Sequence, residues 1–323
     1  MYNVKSKMKN LIFFGSPEFS AEILKSIILS KQVSVVGVVT TPDKPTGRQQ
    51  ILTPSPIAVL AGRYDLPIYK PVKFDDANLS HLKLLKPDIF LVVSFGKIIP
   101  QSWLSAPSIG TFNIHFSLLP KYRGALCISE AIKNQDPETG VTLMVMDSLM
   151  DHGPIVSKTK VAIGIDDNLA TLTTKLTQTS KEMLKQNLPE ICAQNYSQTP
   201  QNESQATFTP SHKTLTHSSA YIQWKTIRLA LTINNQELST KVHALIRSLS
   251  PEPGAWTIIP NNNTPVILAD AGIHPENSIE LKLLKTSLVS EKLIIDTIQL
   301  PGKQPISWKQ FLAGHSALPS HPL

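Results

Sequence analysis

The chain has 323 residues, 41% of them apolar, which is enough for real cores and longer than one domain usually runs. No stretch approaches the roughly eighteen continuous apolar residues of a membrane span, and the basic, polar start MYNVKSKMKN lacks the features of a secretory signal, so a cytoplasmic protein is expected. A formal net charge of +7 permits a polyanionic partner without requiring one, and the two cysteines, Cys127 and Cys192, lack C-x-x-C spacing and are expected to be reduced, small apolar residues. The folding pattern begins only at Lys9, which leaves Met8 as an alternative start to Met1.

NLIFFG reads as a buried strand ending at Gly15, and Ser16-Pro17-Glu18 reads as a helix start, with a capping hydroxyl, a proline and an acid in the first turn. VSVVGVV is a β-branched run suited to a strand covered on both faces. A proline-rich segment from Thr40 to Pro56 follows, long for a strand–helix connection and therefore a candidate functional loop. DIFLVVSFG, GTFNIHF and GVTLMVMD supply three further strands, with GALCISEAIKN a helix between the last two. Such alternation predicts an α/β domain with a doubly wound, mainly parallel sheet. Residues 193–219 are rich in Ser, Thr, Gln and Asn and read as a connection between domains. Beyond them, Leu238, Val242, Leu245, Ile246 and Leu249 form one helical stripe. GAWTII, TPVILADAGI, IELKLL and KLIIDTIQL then predict a small β-barrel with one helix, a class that includes oligonucleotide-binding barrels.

GSPEFS, after the first strand, is not G-x-G-x-x-G and argues against a dinucleotide site. The strongest chemical candidates are Asn113 and His115. Two apart on a strand, they share a face and can converge on one substrate atom at the carboxyl end of the sheet. An amide can donate to a developing oxyanion, and an imidazole can move a proton near neutral pH. Asp151, in the loop after GVTLMVMD, is placed to orient the imidazole. Asp147 continues the strand directly and suits an end-cap. His152 has no second histidine at ligand spacing, so it reads as a rim residue rather than a metal ligand, and no metal is expected.

FNIHFSLLPKYRGA followed by ETGVTLMVMDSLMDHGPI resembles the folate-dependent formyltransferases. FFGSPEFSAEIL, VVTTPDKPTGR, LTPSPIAVLA, VVSFGKIIP, AYIQW, IRSLSPEPGAW and PISWKQFLAGH extend the likeness, in order, toward the branch that acts on charged initiator tRNA. The resemblance implies a Rossmann-like formyltransferase domain over residues 1–195, a linker over 196–212 and an OB-like barrel that binds tRNA over 213–323. It also implies transfer of the formyl group of 10-formyltetrahydrofolate to the α-amine of methionine on that tRNA, in translation initiation, by a monomer. Matched residue by residue, it gives Asn113, His115 and Asp151 catalytic positions. Ser117, Leu118, Leu119 and Pro120 take the folate-contacting segment, and Arg48 with Lys44 supply the cations of a tRNA-binding loop. Phe116, His152, Pro154, Glu252 and the lysine-poor Gln49-Gln50-Ile51 depart from the family pattern.

A sugar-nucleotide N-formyltransferase shares the three catalytic residue types and stays open as an alternative, although the proline-rich loop and the PISWKQFLAGH tail speak against it. A glycinamide ribonucleotide formyltransferase would not need the carboxy-terminal region, and a non-catalytic RNA-binding protein would not need the intact Asn113, His115 and Asp151. For a polyanionic acceptor, Lys241, Arg247, Lys282, Lys285, Lys292 and Lys303 are the candidate cations of the carboxy-terminal region.

Overall fold

A computed structural model describes residues 8–47, 49–232, 235–260 and 278–315. The chain divides into two compact units. The first comprises residues up to Ala125, Thr139–Ala162 and Thr173–Thr209; the second comprises Leu126–Glu138, Ile163–Leu172 and the chain from Pro210 onward.

The first unit opens with β1 (Asn10–Gly15), α1 (Glu18–Ser30) and β2 (Ser34–Val39). Leu11 to Phe14 are fully buried, and α1 covers them with Ala21, Ile23, Leu24 and Ile27 at helical spacing. Gly15 allows that approach, because a β-carbon there would collide with Ser20 Oγ. Pro17, not Ser16, occupies the N-cap position, and no side chain caps the helix.

The proline-rich segment is not a bare loop. It folds into a hairpin of β3 (Lys44–Thr46) and β4 (Ile51–Thr53), with Thr46 bonded to Thr53 across it. Then come α2 (Pro56–Arg63), capped by Ser55, and β5 (Ile68–Tyr69). α3 (Asp76–Leu84), capped by Asp75, β6 (Ile89–Val93), α4 (Gln101–Leu104) and β7 (Gly110–His115) follow. After α5 (Cys127–Lys133), which groups with the second unit, the strands β8 (Glu138–Val145) and β9 (Ile155–Ala162) complete the sheet. α6 (Leu169–Cys192) comes next.

Among the described residues the sheet has seven strands in the order β5-β2-β1-β6-β7-β8-β9. It is parallel from β5 to β7, and β8 runs antiparallel to β7. This is the expected Rossmann-like, mainly parallel arrangement, with the edge strand β9 added. β1 and β6 lie inside the sheet, apolar on both faces and covered on both sides.

Residues 199–209, expected to lie in a linker, are hydrogen-bonded to the first unit. Thr199 pairs with Ile155, and Thr207 and Thr209 pair with Arg123. A strap that spends its polar groups on backbone partners has the same Ser/Thr/Gln/Asn composition as a free linker, so composition does not separate the two.

In the second unit, α7 (Trp224–Thr232) and α8 (Gln236–Leu249) pack with an antiparallel sheet. Its strands are β10 (Ala255–Ile259), β11 (Ile279–Val289), β12 (Lys292–Gln299) and β13 (Ile306–Ser307), in that order. α9 (Trp308–Ala313) closes the described chain behind a full capping box at Ser307 and Gln310. The stripe on α8 is buried as expected: Val242, Ile246 and Leu249 enter the core with Trp256, Leu281, Ile298 and Phe311. The expected small barrel with one helix is found as a distinct antiparallel β domain that carries α7, α8 and α9 rather than a single helix, while TPVILADAGI lies outside the described residues.

Arg247 does not join the exposed cations. It is 8% exposed, and its guanidinium donates to the Asp167 carbonyl at 2.6 Å. Helical spacing carried it onto the buried side of α8. Cys127 is buried and Cys192 half-buried, both as free thiols, and burial pushes the Cys192 thiol up.

Candidate active site

Strand β7 delivers Asn113 and His115 to the carboxyl end of the parallel strands, where Asn113 stands beside Val92 of β6 and Met144 of β8. Both side chains are more than nine-tenths buried. The His115 ring is fixed at Nε2, 2.9 Å from the Tyr122 carbonyl. A carbonyl can only accept, so the proton of that bond sits on Nε2. The other ring nitrogen, Nδ1, faces Asp151 Oδ2 at 3.5 Å.

Asp151 collects the remaining contacts. Oδ1 accepts from Asn113 Nδ2 at 3.4 Å, and Oδ2 accepts from the Gly124 amide at 2.8 Å. Its own backbone is left-handed, with φ 49°, an unfavourable conformation held by the surrounding bonds. Gly153, two residues on, lies so close to the Val145 carbonyl that a β-carbon would collide with it, and this pins the loop to the end of β8. The three expected residues therefore meet. The contacts from Asn113 and Nδ1 to Asp151 are long, whereas those from the backbone of 122–124 are short.

Asp147 and His152 pair with each other at 2.6 Å, and Asp147 also accepts from the Leu149 amide, as suits an end-cap. His152 Nε2 lies 3.5 Å from Glu203. No cluster of three or more His, Cys, Asp or Glu side chains suited to a metal ion occurs among the described residues.

The expected folate segment splits in two. Ser117 is fully buried, and its hydroxyl donates to the Lys121 carbonyl at 2.6 Å. Leu119 is also fully buried, packed with Met144 and Ile155. Leu118 and Pro120 are half-buried and remain the apolar side chains of this segment open to a ligand. Phe116 stacks obliquely on Phe19 with ring centres 5.3 Å apart, so its bulk goes against α1. Lys44 is exposed on the β3–β4 hairpin, and Arg48 lies outside the described residues.

Sequence reasoning missed Tyr122, Arg123, Gly124, Gln201 and Glu203. Arg123 is 2% exposed and grips Gln201 and Glu203, and its hydrogen bond holds the Glu203 carboxyl below the usual carboxylate range. One arginine in a loop, and a Gln and a Glu in a polar stretch, have no periodicity that marks them. The signal was the position of Arg123 within KYRGA, directly after the folate segment.

These features define a formyl-transfer enzyme fold with an Asn, His and Asp gathered at the sheet end, and comparison with known proteins agrees. The chain belongs to the formyl transferase family: residues 8–188 match the formyl transferase domain and residues 231–316 match the formyl transferase C-terminal domain. It is an enzyme, and formyl transfer is its chemistry. The chain is 33% identical over 318 residues to the methionyl-tRNA formyltransferase of Staphylococcus aureus strain Newman, covering 95% of this chain and 96% of that one. It is 36% identical over 315 residues to that of Kosmotoga olearia, covering 94% and 96%. Among solved structures, a 4-N formyltransferase from Francisella tularensis superposes with a TM-score of 0.58 at 18% identity, covering 77% of this chain and 92% of that one. An N-formyltransferase from Helicobacter canadensis, solved with folinic acid and dTDP-3-aminofucose, gives 0.58 at 20% identity, covering 91% and 95%. At those identities the two structures speak for the fold alone. No helix among the described residues is long and apolar enough to cross a membrane.

Proposed function

We propose that the chain transfers the formyl group of 10-formyltetrahydrofolate to the α-amine of methionine on charged initiator tRNA. The observation that carries this reading is the convergence of Asn113 and His115 on Asp151, in a chain alike over nearly its whole length to enzymes named for that acceptor. The amine lone pair forms a bond to the formyl carbon, and the formyl oxygen takes up negative charge. Collapse of that intermediate breaks the carbon–nitrogen bond to the folate, whose nitrogen leaves with a proton while the new amide loses one.

Asn113 Nδ2 and His115 Nδ1 are the donors for the oxygen. Their contacts to Asp151 are long, 3.4 and 3.5 Å, and catalytic hydrogen bonds that are long without substrate tighten when it arrives. An imidazolium satisfies both its contacts, donating from Nε2 to a carbonyl and from Nδ1 toward a carboxylate. Asp151 supports that charge and receives the amine proton. Leu118 and Pro120 offer apolar surface to the folate, and Lys44 with Arg48 offer charge to the acceptor end of the tRNA. The domain limits proposed for this function are 1–195 for the catalytic domain, 196–212 for the connection and 213–323 for tRNA, with residues 199–209 of the connection bonded to the first unit.

The test is direct. The protein is incubated with 10-formyltetrahydrofolate and charged initiator tRNA, and formylmethionine is measured on the tRNA. Formylation of an amino-sugar nucleotide with none of the tRNA would replace this acceptor with the sugar.

A further inference from the structure

His115 leans on the Tyr122 carbonyl and Asp151 on the Gly124 amide, so the residue between these two supports is Arg123. Its guanidinium donates to both Glu203 oxygens at 2.9 and 2.6 Å, and to Gln201 Oε1 at 3.1 and 2.8 Å. Its peptide N–H and carbonyl pair with Thr207 and Thr209, both at 2.8 Å, and the Tyr122 N–H donates to Thr207 Oγ1 at 2.8 Å. Gln201 closes the circuit. Its amide nitrogen donates to the Asp151 carbonyl at 2.9 Å and to the Gly153 carbonyl at 2.8 Å.

One side chain, Gln201, thus holds the loop carrying Asp151 with its nitrogen and the loop supporting His115 with its oxygen. The Glu203 carboxylate is exposed, and an ion pair with an exposed partner adds little stability. What the planar fork supplies is fixed direction. We propose that Arg123 and Gln201 are positioning residues for formyl transfer, and that the strap of residues 199–209 belongs to the active site. They act through the Tyr122 carbonyl, the Gly124 amide and the backbone of Asp151, setting the distance between imidazole and carboxylate. This inference rests on the roles proposed above for His115 and Asp151.

Gln201→Glu tests it in the full-length enzyme. The variant keeps an acceptor for Arg123 but turns the two donors toward Asp151 and Gly153 into acceptors facing carbonyls. A displacement of a reacting group by about 1 Å can cost on the order of 10²-fold in rate, so kcat is expected to fall roughly 10- to 100-fold. KM for the folate should move less than about threefold on the same grounds, and the acidic limb of the pH–rate profile should shift. Thr207→Val, which removes only the acceptor for the Tyr122 N–H, is the milder variant should Gln201→Glu fold poorly, and should lower kcat in the same direction. Folded variants with wild-type kcat and pH profile, whatever their Tm, would overturn the inference. His115→Ala is measured alongside. If it is inactive while the strap variants are not, the strap inference alone fails; if it is fully active, the catalytic reading fails and takes this inference with it.

Discussion

The charge on Asp151 and the identity of its two oxygens matter separately. Oδ2 is committed to the Gly124 N–H and Oδ1 to Asn113 Nδ2, both of them donors. In Asp151→Asn, whichever way the amide turns, one of those donors meets an NH2 group instead of an oxygen. Activity should therefore fall although the side chain is nearly isosteric. Asn113→Ala and His115→Ala should each lower kcat by roughly 10²-fold, the scale for loss of one oxyanion donor, with folate binding changed far less. Steady-state kinetics at several pH values checks all three, and near-normal turnover in any of them would remove that residue from the mechanism. Ser117 behaves differently from its place in the motif. Its hydroxyl is spent on the Lys121 carbonyl, so Ser117→Ala should act through the shape of the turn rather than through a lost ligand contact.

Helix α8 shows how a polar residue can serve an element rather than a site. His243 is 1% exposed, with Nε2 3.1 Å from the Ile165 carbonyl and Nδ1 2.8 Å from Thr286 Oγ1. A neutral ring satisfies both, donating from Nε2 and accepting at Nδ1. Burial holds its pKa below the ordinary histidine value, helped by the nearby Arg247 and opposed by the Ile165 carbonyl and by Asp166 and Asp296. The unfolded chain then binds this proton at higher pH than the folded one. The stabilisation is complete above the unfolded value of about 6.5 and is lost as pH falls below it. Tm should therefore drop between pH 7.5 and 5.5, and His243→Gln should flatten that drop; an unchanged slope would assign the titration elsewhere. The same helix marks what was legible in the sequence. Its apolar stripe was readable, as were β1, β2, β6, β7 and β8, because period and apolar runs report burial directly. The hairpin β3–β4 was not readable, since Lys44-Pro45-Thr46 and Ile51-Leu52-Thr53 are short, exposed and flanked by Gly47 and prolines. Asn113, His115 and Asp151 stood out through spacing and family likeness. Arg123 and Gln201 did not, because their meaning depends on a pairing across the fold that no local pattern encodes.

At the scale of the whole chain, the charge of +7 has to be divided between structure and partner. In the second unit Arg247 is buried in the fold, Lys241 lies 2.5 Å from Glu237, and Lys282 lies 2.9 Å from Glu252. Lys285, Lys292 and Lys303 are exposed and are the better candidates for phosphate contacts. A tRNA acceptor offers many phosphates, and each one neutralised adds about −0.7 to −0.9 to the slope of log affinity against log salt. Three such contacts imply a slope of roughly −2, steeper if Lys44 and Arg48 also engage. Replacing Lys285, Lys292 and Lys303 by Gln should flatten the slope by about that amount while folate affinity stays the same, because those lysines lie in a different compact unit from Asn113, His115 and Asp151. The exposed ion pairs of Lys241 and Lys282 are weak and screened, so their own replacement should change the slope much less. Titration of charged initiator tRNA across a series of salt concentrations reads this directly. A shallow slope that the triple variant leaves untouched would assign the lysines to an ordinary solvated surface and move the acceptor toward a small molecule with one or two phosphates.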